Sequence, residues 1–124
     1  MSRIGAVALA AAFCAMFPAH AQEAAERYIP IGQSPGLSQK LTAIGEIAAV
    51  DGRGRSVTIA GAAGRRTVRI TDRTRIWLDR TKLNQPNLAG GFADLQKGRR
   101  VEAKLEGPAR RQVAGWIKVE IARP

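Results

Sequence analysis

The sequence predicts an all-β domain, a small barrel of five or six short strands, and three observations carry that reading. Apolar and polar residues alternate with period two over several short segments, and glycine-rich turns separate those segments. The most regular stretch, Arg65–Leu78 (R-R-T-V-R-I-T-D-R-T-R-I-W-L), sets Val68 and Ile70 against Thr67, Arg69 and Thr71, one apolar face and one basic. The Asp72-Arg73-Thr74 turn interrupts it and Ile76-Trp77-Leu78 resumes it. Short strands with one apolar face each bury that face best by curling up, so an OB-like barrel is expected, with an SH3-like barrel as the alternative.

In chain order, Arg3, the apolar run Ile4–Phe17, Pro18 and Ala19-His20-Ala21 have the layout of a secretory signal peptide over residues 1–21, cleaved after Ala21. The run is shorter than the ~20 apolar residues of a spanning helix, so no transmembrane segment is expected after cleavage. Phe13 stands before Cys14 where lipoprotein signals carry a small residue, which argues against lipidation. The protein is expected to be periplasmic or secreted. Cleavage would remove Cys14, His20, Met1 and Met16, leaving a mature chain without Cys, His or Met. It would also remove Arg3, so the charge would fall from +10 to +9, carried by 14 Arg and 5 Lys.

Residues 22–39 are expected to form an extended N-terminal segment. Within it Tyr28–Ser38 (Y-I-P-I-G-Q-S-P-G-L-S) cannot be helical, and its Tyr28, Ile29, Ile31 and Leu37 are apolar enough to lie across the domain. The barrel itself is expected over residues 40–122. Lys40–Val50 is the first strand, with a bulge or bend near Gly45 and Ala48-Ala49. Asp51-Gly52 opens a turn, Ser56–Ala60 points Val57 and Ile59 inward, and Gly61–Gly64 turns into the central stretch. Asp79–Gly98 reads as a loop anchored by Leu83, Leu88, Phe92 and Leu95, with one helical turn over Asp94–Lys97. Arg99–Glu106 points Val101, Ala103 and Leu105 inward and Arg100, Glu102, Lys104 and Glu106 outward. Gln112–Ile121 points Ile117, Val119 and Ile121 inward and Trp116, Lys118 and Glu120 outward.

The run Gly45-x-Ile47-x-x-Val50-Asp51, Val57-x-Ile59, Val68-x-Ile70-x-Asp72-x-Thr74-x-Ile76, Leu95-x-x-Gly98-x-x-Val101-x-Ala103 and Ile117-x-Val119 resembles exported bacterial small β-barrel domains of unknown function. The resemblance covers Thr42–Ile121; it implies a location outside the cytoplasm and brings no catalytic residues. The layout is also similar to the periplasmic copper-chaperone barrels of efflux systems. That family holds Cu(I) with His, Met and Trp. Trp77 and Trp116 are present here, but the mature chain has no His or Met, so the resemblance implies no copper site and no cofactor.

Composition excludes histidine triads, cysteine nucleophiles and thiolate zinc sites. A carboxylate hydrolase is the lowest-ranked alternative, because Asp72, Asp79 and Asp94 lie near turns, where Asp binds backbone N–H groups by default. The expectation is therefore a non-enzymatic binding module. Arg65, Arg66, Arg69, Arg73 and Arg75 cluster within eleven residues, and Arg99-Arg100 and Arg110-Arg111 add two pairs. These nine are the candidate anion-binding residues, and Trp77 and Trp116 the candidate stacking residues. The expected partner is an envelope protein or an anionic polymer such as lipopolysaccharide or peptidoglycan, with nucleic acid the alternative. In the competing arrangement, Tyr28–Leu37 covers Trp77 and the arginines pair with Asp72, Asp79 and Glu102.

Overall fold

The computed structural model describes residues 25–34, 41–107, 110 and 112–123. The expected signal peptide with its cleavage site, Leu37 and Arg111 lie outside the described residues. Seven strands form one sheet: β1 (Thr42–Asp51), β2 (Ser56–Gly61), β3 (Gly64–Arg69), β4 (Arg75–Asp79), β5 (Leu88–Ala89), β6 (Arg100–Leu105) and β7 (Ala114–Glu120), in the order β3-β2-β1-β6-β7-β4-β5.

The stretch Gly64–Asp79 closes the barrel. Its first half, β3, pairs antiparallel with β2, and its second half, β4, pairs parallel with β7. Between them Arg69 bridges to Val113 in parallel, and the Arg69 N–H donates to the Gln112 carbonyl at 2.6 Å. One kinked strand therefore joins the two ends of the sheet, giving the expected all-β, OB-like barrel of five long strands with β5 as a short edge. Thr74 holds the kink: its hydroxyl accepts from the Thr71 N–H at 2.9 Å and donates to the Ala114 carbonyl at 2.7 Å.

The register shift between Ile47 and Ala49 is the expected bulge in β1. Close crossing explains the nearby glycines. A Cβ on Gly45 would lie 2.1 Å from the Ala60 carbonyl oxygen, and one on Gly61 2.2 Å from that of Ile44. Inside the barrel, Ile47, Val57, Ile59, Val68, Ile70, Val101, Ala103, Leu105, Ile117 and Val119 make the core. Leu95 joins them, Phe92 packs against them, and Leu88 stays exposed rather than anchoring the loop. The expected turn over Asp94–Lys97 forms earlier, as a 3-10 turn at Phe92–Asp94, where the Gly91 N–H donates to Asp94 Oδ2 at 2.8 Å. Among the described residues no helix is long and apolar enough to cross a membrane.

Candidate functional site

Register decides where each arginine points. Arg65, Thr67 and Arg69 oppose Ala60, Thr58 and Ser56 and face away from the barrel, whereas Arg66 opposes buried Ile59 and faces its interior. Arg73, in the kink, and Arg75, opposite Trp116 on β7, are exposed. Arg65, Arg69, Arg73 and Arg75 make no ion pair among the described residues and follow one another along the strand that closes the barrel. The other candidates are engaged elsewhere. Arg99 donates to the Asp94 carbonyl at 2.8 Å, Arg100 lies 3.7 Å from Glu120, and Arg110 lies 3.3 Å from Glu106. Arg55, which sequence reasoning passed over, joins the kink: the Ile70 N–H donates to its carbonyl at 2.7 Å and its guanidinium sits 5.2 Å over the Phe92 ring.

The tryptophans are not free stacking faces. Trp77 is 6% exposed and Trp116 4%, with ring centroids 5.7 Å apart. Both face out of the barrel, as alternation requires, but residues 25–34 lie over that face. The Ile31 N–H donates to Asp79 Oδ2 at 3.0 Å, the Gly32 N–H to Glu102 Oε1 at 3.3 Å, and Asn87 Nδ2 to the Arg27 carbonyl at 2.9 Å. Lys118, Glu102 and Trp116, expected at the solvent surface, are therefore buried. Lys118 Nζ lies 3.0 Å from Glu26 Oε1, 3.0 Å from Ser34 Oγ, 3.8 Å from Glu102 Oε1 and 4.6 Å from the Trp116 ring centroid. Of the competing arrangement, the burial of Trp77 beneath the N-terminal segment is present, whereas Asp79 and Glu102 take these partners in place of arginines.

Electrostatics differ between the two buried carboxylates. Burial alone would raise Asp79. Hydrogen bonds from the Thr81 hydroxyl and from the Ile31 and Thr81 N–H groups, with the Lys118 charge, outweigh it and hold Asp79 below the usual carboxylate range. Burial dominates at Glu102 and pushes its carboxyl up, against the Gly32 N–H and the Lys118 charge.

A cavity of about 370 Å³ opens between Gly32 and Ser34 of the N-terminal segment, Thr42–Ile44 at the start of β1, and Gly61–Arg66 at the β2–β3 turn, with Ile59 and Glu102 completing the wall. Arg66 Nη1 and Thr42 Oγ1 are buried and have no hydrogen-bond partner among the described residues. Thr42 was not singled out by sequence reasoning, because an orphaned hydroxyl leaves no trace in a strand pattern. Among the described residues no group of three or more His, Cys, Asp or Glu side chains could hold a metal ion.

No family model matches the chain, and no curated protein matches it. Among solved structures, silver-bound CusF is 18% identical with a TM-score of 0.40, covering 63% of this chain and 93% of its own. A Cu(II) form of a tryptophan-to-alanine CusF variant from Escherichia coli is 17% identical with a TM-score of 0.43, covering 67% and 96%. The fold assignment rests on the strand pairing of this chain itself.

Proposed function

We propose that the chain is an exported, non-enzymatic binding module that engages an anionic polymer of the cell envelope through the arginine row of β3 and β4. The observation that carries this reading is the composition of the outer β2–β3 face. Arg65, Thr67 and Arg69 stand against Thr58 and Ser56 there, Arg73 and Arg75 continue the row, and no aromatic residue is among them. Guanidinium forks bind phosphate and carboxylate oxygens in pairs, and neighbouring hydroxyls add further contacts. Lipopolysaccharide supplies phosphates and peptidoglycan supplies carboxylates. Single-stranded nucleic acid is disfavoured, because its binding needs exposed rings and both tryptophans are buried.

Titration calorimetry of the purified protein with lipopolysaccharide, soluble peptidoglycan fragments and single-stranded DNA, at two salt concentrations, tests the reading. The expected result is saturable binding to one envelope polymer, weakened about tenfold in Arg69→Gln by loss of a charge-assisted contact. Equally weak binding to all three that vanishes near 0.15 M salt, where the Debye length is about 8 Å, would reduce the row to generic charge and redirect the search to an envelope protein.

A further inference from the structure

We propose that the cavity beside the β2–β3 turn is a second binding site, which shares only Arg65 with the outer arginine row, and that it takes a small monocarboxylate with an apolar body. Register provides the first argument. Val57 and Val68 are paired and buried, so that side of the hairpin is the barrel interior, and two residues further along the same side come Ile59 and Arg66. An arginine replaces a hydrocarbon where the barrel opens. It is half-buried, makes no ion pair among the described residues, and has one amino group fully buried without an acceptor.

Thr42 gives the second, independent argument. It comes from a different strand, lines the same cavity, and its hydroxyl is also buried without a partner. Unmet buried donors destabilise a folded chain, and here both belong to residues that line one cavity, where a bound acceptor group could meet them. A carboxylate offers two oxygens, one for Arg66 Nη1 and one for Thr42 Oγ1.

The apolar part of the wall sets the body of the ligand. Ala43, Ile44, Ile59, Ala62 and Ala63 are apolar, and the volume of about 370 Å³ lies at the small end of the range of ligand pockets, ~300–1,000 Å³. Of the two arginines in the lining, Arg65 faces away from the barrel and Arg66 faces into it, so one inward cation matches one negative group, and a second anionic group would also meet Glu102, another lining residue. Glu102 is itself held by the Gly32 N–H and by Lys118, so it does not neutralise Arg66.

Titrating the purified protein with hexanoate and benzoate, their neutral amides and inorganic phosphate tests this, read by amide chemical shifts and calorimetry. The acids are expected to bind saturably and about tenfold more tightly than the amides, with shifts centred on Thr42–Ile44 and Gly61–Arg66. Arg66→Gln is expected to weaken hexanoate about tenfold and Thr42→Val about threefold, the ratios for a charged and a neutral hydrogen bond. Arg69→Gln, on the outer face, should leave hexanoate binding unchanged, which separates this site from the polymer surface. Equal affinity for acid and amide, phosphate binding as tightly as hexanoate, or an Arg66→Gln protein that binds like the parent would each overturn the proposal. If Arg66→Gln failed to fold, the Thr42→Val ratio would decide, with an unchanged affinity counting against the site.

Discussion

Two buried layers lie back to back across β6 and β7, built from alternate residues of the same strands. On the barrel side stand Val101, Ala103, Leu105, Ile117 and Val119; on the outer side stand Glu102, Trp116 and Lys118, continued onto β4 by Trp77 and Asp79. Both layers are shielded from water, by different means. Closure of the barrel shields the first, and hydrocarbon burial there is non-directional, so volume matters more than position. Residues 25–34 shield the second through named contacts to Asp79, Asn87, Glu102 and Lys118. Such a layer depends on completeness. Each charge is tolerable while its partners are present, and losing one partner leaves the other buried and unmet.

The largest expected effect follows from that dependence. Lys118→Ala should destabilise the protein by about 3–5 kcal/mol, read from urea unfolding midpoints at constant slope, because Glu102 keeps its burial and loses its cation. Adding Glu102→Gln to that variant should recover part of the loss, since the pair is coupled. A loss below about 1 kcal/mol for Lys118→Ala would place this pair with ordinary surface ion pairs and erase the contrast between the layers. Next comes the hydrocarbon benchmark: Ile59→Ala should cost about 3 kcal/mol, the usual price of a core cavity, with no dependence on a second site in the outer layer.

The contrast also explains which parts of the molecule were legible in its sequence. Val57, Ile59, Val68, Ile70, Val101, Ile117 and Val119 could be placed in the core because alternation reports side-chain direction directly. Alternation also gave the correct direction for Trp116, Lys118 and Glu102, which do face out of the barrel. It could not report what lies over them. The cover comes from residues 25–34, some 70 to 90 positions away along the chain, through pairs such as Gly32–Glu102 (70 apart) and Ser34–Lys118 (84 apart). Nothing local in K-V-E or V-E-A marks that contact. The arginine row was legible as a cluster, and alternation sets Arg66 on the side of Val68 and Ile70; what the sequence did not report is its partner, Ile59, which depends on the β2–β3 register.

Acid separates the two carboxylates of the outer layer. Asp79 lies below its ordinary value of 3.8, so the folded state favours its charged form. Its contribution is fully present above that value and is lost as pH falls through the lowered one. Asp79→Asn should therefore cost about 1–3 kcal/mol near neutrality, the scale of hydrogen bonds to a charged acceptor. The cost should shrink as pH falls below 3.8 and through the lowered value, where the parent carboxylate is itself protonated. Unfolding midpoints of both proteins from pH 2 to 7 measure this, and a difference that stays constant with pH would mean that the Thr81 and Ile31 hydrogen bonds do not distinguish the charged form.

Glu102 should give the smallest effect and the opposite sign. Its carboxyl lies above its ordinary value of 4.5, so the folded state favours the protonated form. Whatever stability that form contributes is present below 4.5 and is lost as pH rises through the raised value. A glutamine keeps an acceptor for the Gly32 N–H and does not titrate. The stability of Glu102→Gln relative to the parent should therefore rise as pH climbs from 4.5, then level off above the raised value. Lys118 favours the charged form, and burial opposes it. If the variant instead lost ground with rising pH, the Lys118 charge would outweigh burial at Glu102 as hydrogen bonding and charge do at Asp79. The two carboxylates would then differ only in degree, and the outer layer would owe its stability to charge pairing at both positions.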